Sequence, residues 1–433
     1  MTPAARIAAA IDLLAAIEAT PRYPADAMAN NFFRNRRYIG SGDRRAVSER
    51  AWAVIRARRR LSWWLGDTPP TPPLLVAASL LLEGWALSGV TQSFSGGQFA
   101  PKPLSQADIS VLQRIEGHTL DHPDMPPAVH MEIPDWILPH LQKRFGADLA
   151  HEMAAMEMPA SLDLRVNLLK ATREAARAAL AAEGIESELT PISPWGLRIE
   201  GRRLVTTGKA FQDGLVEIQD EGSQLVAYLV GAAPGMRVAD WCAGAGGKTL
   251  AMAMTMENHG HIVACDVSVH RLDGAVRRLR RAGVHNVERH LIEPGDKWAK
   301  RNAKRFDRVL VDAPCTGIGT WRRNPDARLR LKESDLEELL AKQKVILDSA
   351  SRLVRPGGRL VYATCSLLPE ENEDQVRAFL SRHPDFRTKP LPRAWQGGVP
   401  PCSDEFLVLT PARHGTDGFF GAVLERQTPG PVP

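Results

Sequence analysis

From about residue 211 onward, short apolar segments alternate with longer amphipathic ones, and this alternation constrains the fold more than any other feature of the chain. Strand candidates are Arg237–Asp240, His261–Asp266, Val287–Glu293, Phe306–Asp312 and Gly358–Thr364. Helix candidates are Thr249–Glu257, Val269–Ala282, Glu333–Leu353 and Glu371–Arg382. Alternating β and α units predict a mostly parallel, doubly wound α/β sheet. In such sheets ligands bind beyond the carboxyl ends of the strands, so the residues just after each strand are where chemistry is sought.

The rest of the 433 residues divides in two. Residues 1–130 read as all-α: Ala5, Ala8, Ile11, Leu14 and Ile17 keep a helical period, and further helical runs cover Arg45–Leu65 and Leu74–Leu87. Gly89–Pro103 reads as a loop, and Pro123, Pro126, Pro127 and Pro134 punctuate a boundary. Residues 131–210 hold an alternating strand (Ser161–Leu169), an alanine-rich helix ended by Gly184, and two short strand-like runs. That order fits a small α+β unit of the ferredoxin-like or RNA-recognition-like kind. The third domain, 211–428, is the doubly wound one.

Composition excludes several classes. Hydrophobic residues are 44% and charged residues 24%, as in an ordinary globular chain. The apolar run Leu74–Leu82 ends at Glu83, far short of the roughly 20 residues a membrane span needs. Asp12 and Glu18 interrupt the N-terminal apolar stretch, which argues against a secretory signal. Five scattered cysteines point to a reducing, cytoplasmic setting and to no metal cluster. Between Asn31 and Arg60 there are ten arginines and two acids, a local net of +8, and Arg271–Lys332 carries a net of +10. Two such segments on a chain of net charge +5 suggest an anionic partner, most simply nucleic acid, with solvated helix faces the plainer reading.

The first strand end reads Asp240-Trp241-Cys242-Ala243-Gly244-Ala245-Gly246-Gly247-Lys248-Thr249. A phosphate-binding loop needs glycine at 242, which is Cys, and a dinucleotide fingerprint needs glycine at 249, which is Thr. Asp-x-x-x-Gly-x-Gly is the usual turn of S-adenosylmethionine methyltransferases, although a purely structural turn stays open from this segment alone. Asp266 ends the second strand, where a carboxylate accepts ribose hydroxyls or caps the next helix. Glu293, or Asp296 just beyond it, is placed near an adenine.

The fourth and fifth strands end in Asp312-Ala313-Pro314-Cys315 and Thr364-Cys365-Ser366. Carbon 5 of a pyrimidine becomes nucleophilic only after a thiolate adds to carbon 6, so two thiols beside such a turn favour carbon-5 methylation. O- or N-methylation needs no such thiol.

These residues, with Glu371-Asn372-Glu373, Asp417-Gly418-Phe419-Phe420, Arg165-Val166-Asn167 and Gln219-Asp220-Glu221-Gly222-Ser223, resemble the Sun-type (RsmB/NOP) family of RNA cytosine-5 methyltransferases over roughly 160–425. Gly244-Ala245 departs from the family's usual Ala-Pro. The resemblance implies a Rossmann-like class I methyltransferase domain using S-adenosyl-L-methionine. It implies Cys365 as nucleophile, Cys315 in proton removal and release, and Asp312 at N3 of the base and near the methionine end of the cofactor. Cys242, Ala243, Gly244, Ala245, Gly246, Gly247, Lys248, Asp266, Glu293 and Asp312 are the implied cofactor residues. Phe32-Phe33-Arg34, Arg36-Arg37 and Ser41–Arg45 resemble the helical NusB-like extension of bacterial small-subunit members. Arg34, Arg36, Arg37, Arg44 and Arg45 are then expected on RNA, and Trp321-Arg322-Arg323 beside it. The expectation is a monomeric, metal-free enzyme acting on 16S rRNA. A tRNA methyltransferase and a non-catalytic ribosome assembly factor are the alternatives.

Overall fold

The computed structural model describes residues 1–428 apart from Arg22, Arg202, Gly398 and Ser403. The chain forms two compact units. One comprises Met1–Glu157 with Trp321–Glu333, the other Met158–Thr320 with Ser334 onward.

The first unit is helical. Its opening helix, Pro3–Glu18, starts where the Thr2 hydroxyl accepts the Ala5 N–H at 3.2 Å. Helix Pro72–Leu82 is apolar all round, and nine consecutive residues, Leu74 to Leu82, are buried. A helix of that composition is stable only when neighbours surround it. The run Arg45–Leu65 is two helices rather than one, Ser41–Arg56 and Arg58–Leu65. The break at Ala57 has a cause remote in sequence: the buried Glu132 carboxylate accepts the backbone N–H of Arg59 and of Arg60, each at 2.9 Å, and so caps the second helix. Leu87–Ser93 is a short helix where a loop is expected from Gly89 on.

Trp321–Glu333 completes this unit. Trp321 is fully buried, and Arg328 donates to Glu157 Oε1 at 2.8 Å and to the Glu132 carbonyl at 3.2 Å. Asp326 accepts the Ala25 N–H at 3.0 Å. Arg322 is only 6% exposed. Trp321 and Arg322, expected beside the RNA backbone, are both packed in the helical core here, a role that an aromatic beside a basic residue serves equally well.

The second unit holds two sheets. The smaller has strands β1 (Leu162–Val166), β2 (Glu188–Leu189), β3 (Gly196–Ile199) and β4 (Val216–Ile218), in the order β2-β3-β1-β4 and antiparallel. With helices Arg173–Ala182 and Lys209–Gln212 this is a β-α-β-β-α-β ferredoxin-like arrangement. β4 lies past the boundary expected at 210.

The larger sheet contains β5 (Arg237–Asp240), β6 (His261–Asp266), β7 (Val287–Leu291), β8 (Phe306–Asp312), β9 (Val354–Thr364), β10 (Phe386–Thr388), β11 (Leu407–Leu409) and β12 (Phe419–Arg426). The order is β10-β12-β9-β8-β5-β6-β7, with β11 paired to β12. β5 to β9 are parallel, and β10, β11 and β12 add antiparallel pairs. The chain runs from β5 through β6 to β7 on one side, then returns to β8 and β9 on the other. The carboxyl ends of β5 and β8 therefore flank the switch point where this fold binds ligands.

Candidate active site

The turn after β5 is shaped by its glycines. Gly246 caps helix Gly247–Thr255 at φ +79°, and a Cβ there would sit 3.2 Å from the Ala275 methyl. Position 246 thus suits glycine on backbone and packing grounds. Two arginines hold the turn from outside: Arg278 donates to the Ala245 carbonyl at 2.7 Å and Arg165 to the Gly247 carbonyl at 2.8 Å. Arg165 comes from β1 of the small sheet, and burial pushes its guanidinium down to about 10.

Asp266, at the end of β6, is 5% exposed. One carboxylate oxygen accepts the Gly244 N–H and the other the Ser268 N–H, both at 2.8 Å. Each oxygen keeps a further lone pair, and the cap of helix Val269–Ala282 falls to Ser268. Lys248 donates to Asp312 Oδ2 at 2.7 Å. Burial opposes the lysine charge, yet the charge of Asp312 and this hydrogen bond hold the ammonium above its ordinary range.

Cys315 and Cys365, 50 positions apart in sequence, bring their sulfurs within 3.4 Å. The hydrogen bond with Cys365, reinforced by burial, pushes the Cys315 thiol well above its usual range. The loop carrying Cys315 reaches this position through a close approach of two glycines. Gly319 donates to the Cys365 carbonyl at 2.9 Å, and Gly418 donates to the Gly319 carbonyl at 2.8 Å. A Cβ at 319 would lie 2.2 Å from the Gly418 oxygen. Cys242 sits on the turn after β5, where burial raises its thiol well above the ordinary range.

One cavity of about 830 Å³ joins these groups. Cys242 to Ala245, Asp266, Asp312, Cys315 and Cys365 all line it, within the size range of roughly 300–1,000 Å³ typical of small-molecule sites. Val267, Arg271, Ile292, Val345, Ile346 and Ser349 line it too, and none of them carries a sequence signal of its own. Glu293 is exposed and outside these walls, with Ile292 taking its place. Asp296 is turned to His290 at 2.6 Å and to the Trp298 N–H at 2.7 Å, so it is engaged elsewhere. Glu293, expected on the adenine side, lies off the cavity wall because strand β7 ends at Leu291, before it.

The donor set fits S-adenosylmethionine. Asp266 offers free lone pairs suited to a ribose diol, Val267 and Ile292 offer apolar faces for a flat base, and Asp312 offers a carboxylate for an ammonium group. Among the described residues, no group of three or more His, Cys, Asp or Glu could hold a metal ion.

In the helical unit, a concavity of about 770 Å³ is lined by Asn30, Phe33, Arg34, Arg37 and Arg44. Arg34, Arg37 and Arg45 are exposed. Arg36 lies over the Phe32 ring at 3.8 Å, and Arg44 donates to the Ile39 carbonyl at 2.8 Å. Arg45 pairs with Glu49 and Arg323 is half-buried.

The family described as 16S rRNA methyltransferase RsmB/F matches residues 227–425, and the ferredoxin-like domain of RsmF/B-like methyltransferases matches 133–206. The chain is 32% identical over 419 residues to the probable ribosomal RNA small subunit methyltransferase B of Synechocystis sp., covering 89% of this chain and 91% of that protein. It is 35% identical over 306 residues to ribosomal RNA small subunit methyltransferase B of Pasteurella multocida, covering 69% of this chain and 66% of that protein. The crystal structure of PH0851 superposes with a TM-score of 0.78 at 26% identity, covering 98% of this chain and 99% of that one. Fold and site together define an S-adenosylmethionine-dependent methyltransferase of the class I architecture. Within that class the chain belongs to the RsmB/F family of 16S rRNA methyltransferases.

Proposed function

We propose that this protein methylates carbon 5 of a cytosine in 16S rRNA through a covalent bond between Cys365 and carbon 6 of the base. The observation that carries the reading is the 3.4 Å approach of the Cys315 and Cys365 sulfurs in the wall of the cavity that also holds Asp266 and Asp312. S-adenosylmethionine, when bound, supplies an electrophilic methyl group. The chain's own residues do the rest. Asp266 and the turn 242–248 hold the cofactor. The Cys365 thiolate adds to carbon 6, which saturates the 5,6-double bond and makes carbon 5 nucleophilic. Asp312 lies on the N3 side and passes to N3 the proton it shares with the Lys248 ammonium, which neutralises the negative charge that develops there and is handed back on elimination. Once the Cys365 sulfur is bonded to carbon 6 it no longer holds the Cys315 proton in place; Cys315 loses that proton to solvent and, as thiolate, takes the proton from carbon 5 after methylation, the Cys365 thiolate leaves carbon 6, and the double bond returns. Two sulfur nucleophiles so close serve this addition–elimination sequence, whereas methylation of an oxygen or nitrogen uses neither.

In this reading, exposed arginines of the helical segment, Arg34, Arg37 and Arg45, contact RNA phosphates, and the protein acts in the cytoplasm as a metal-free monomer. Among the described residues no helix is long and apolar enough to cross a membrane. The test is incubation of the purified protein with S-adenosylmethionine and either 16S rRNA, free or in small subunits, or tRNA. Bisulfite sequencing follows. A new 5-methylcytosine in 16S rRNA is the expected result. Modification of tRNA alone overturns the substrate, and no 5-methylcytosine in any RNA overturns the chemistry.

A further inference from the structure

Two cysteines on separate loops stay within 3.4 Å only if something fixes both loops, and the residues that do so are adjacent in sequence. Glu371 and Asn372 follow β9 and are fully buried, as are Gln343, Thr364 and Ser366. Glu371 accepts the Thr316 N–H at 2.9 Å and the Thr316 hydroxyl. Gln343 donates to Glu371 at 2.9 Å and to the Pro314 carbonyl at 3.0 Å. Both residues flanking Cys315 are thereby held by the Glu371–Gln343 pair. Asn372 treats Cys365 in the same way. It accepts from the Thr364 hydroxyl at 2.5 Å and donates to the Ser366 carbonyl at 3.0 Å, which fixes both flanks of that cysteine. The Thr316 and Ser366 hydroxyls, 3.1 Å apart, tie the two loops to each other. The Tyr362 hydroxyl donates to the Glu371 carbonyl at 2.6 Å and anchors the dipeptide to β9.

We propose that Glu371 and Asn372 are separate positioning residues for the two thiols: Glu371, with Gln343, sets Cys315 for the release half of the reaction, and Asn372 sets Cys365 for the attack half. This rests on the thiol roles proposed above. Neither residue touches substrate. A buried carboxylate is costly to place among apolar groups unless its hydrogen bonds are made, and here they are made to Thr316, one flank of Cys315, and to Gln343, which holds the other flank at Pro314. The amide of Asn372 both accepts and donates, which suits it to the hydroxyl and carbonyl that flank the other cysteine. The two halves of the reaction can therefore be damaged one at a time.

The experiment uses the full chain with S-adenosylmethionine and a 16S rRNA transcript, reading turnover and the covalent RNA–protein species on a denaturing gel. Glu371→Ala and the milder Gln343→Leu are expected to lower turnover by about ten- to a hundredfold, as for loss of a hydrogen bond to a charged group. They should accumulate the adduct as Cys315→Ala does. Asn372→Ala should lower turnover without accumulating adduct. General loosening of the site would lower turnover in all three and trap nothing. If Cys315→Ala traps the adduct while Glu371→Ala and Gln343→Leu trap no more than wild type, the assignment of Glu371 is overturned and the proposed function stands. If adduct forms with Cys365→Ala in place of Cys315→Ala, the thiol roles themselves are overturned. Thermal melts of Gln343→Leu separate a folding loss from a positioning loss.

Discussion

Lys248 and Asp312 form an ion pair at 2.7 Å between the turn after β5 and the end of β8, with side chains 10% and 30% exposed. The pair couples a residue expected on the cofactor to one expected on the base. Removing the ammonium leaves Asp312 without the partner that orients it. Lys248→Met should therefore lower methyl transfer and cost about 1.5–3 kcal/mol of stability. The pH dependence follows from the raised lysine pKa. The native state holds the proton more tightly than the unfolded chain. The contribution is complete below the ordinary lysine range and is lost as pH rises through the higher native value. The gap in melting temperature between wild type and Lys248→Met should hold from about pH 7 to 9 and shrink above about 10.4. A gap that stays constant through the whole alkaline range would show that the pair contributes nothing.

The thiols separate by their products. Cys365→Ala should abolish methyl transfer and leave S-adenosylhomocysteine affinity within about twofold, because losing one thiol from the cavity wall removes little contact with the ligand. Cys315→Ala should attack and fail to release, and a band resistant to denaturation should contain both RNA and protein.

Asp266→Ala removes the carboxylate that accepts from Gly244 and Ser268. Calorimetry with S-adenosylhomocysteine should show affinity falling about ten- to a hundredfold, as for a charged hydrogen bond of roughly 1.5–3 kcal/mol. An unchanged dissociation constant would mean that Asp266 only shapes the turn.

Asp240 ends β5 with one oxygen bonded to the Thr249 hydroxyl at 2.6 Å and the other buried without a partner. Burial raises its pKa to about 7. The native state then binds a proton that the unfolded chain has released above about pH 4. The cost accumulates as pH rises from about 4 to 7, on the order of 4 kcal/mol in all. Asp240→Asn keeps an acceptor for Thr249 and carries no charge. In cofactor-free melts its stability relative to wild type should improve steadily between about pH 5 and 7.5, and a flat difference would refute the assignment.

Charge reversal of Arg34, Arg37 and Arg45 should weaken RNA binding and flatten its salt dependence by about 0.7–0.9 for each phosphate no longer neutralised. Arg36 and Arg44 are left intact in this test because they serve Phe32 and the Ile39 carbonyl. Cofactor affinity should not change. An unaltered salt slope would assign these arginines to solvation alone.

The strand ends that matter are legible in the sequence because period and punctuation mark them: Asp240, Asp266, Asp312 and Thr364 each close an apolar run. The cavity walls at Val345, Ile346 and Ser349 are not, since they lie within helix Glu333–Ala350 and nothing in helical periodicity says which turn meets a ligand. Glu293 lies two residues beyond the true end of its strand, enough to move it off the wall. The break at Ala57 is invisible to local pattern, as its cause is Glu132, 75 positions away in the chain. Glu371 and Asn372 stand out only through the family pattern. Their partners at 314, 316, 343, 364 and 366 meet through tertiary folding alone.

The placement of Trp321–Glu333 in the helical unit bears on how this gene can be cut and recombined. A polypeptide beginning at Met158 would contain both sheets and both thiols, yet it would display the Trp321 ring and the Arg328 guanidinium stripped of Glu157 and the Glu132 carbonyl. Such a fragment invites aggregation at a newly bared aromatic. The reciprocal fragment, ending at Glu157, would lose the same thirteen-residue plug from its interior. A simple end-to-end fusion that cuts at residue 157 would leave the helical unit without this segment. A transplant of the helical unit has to carry the internal segment 321–333 with it.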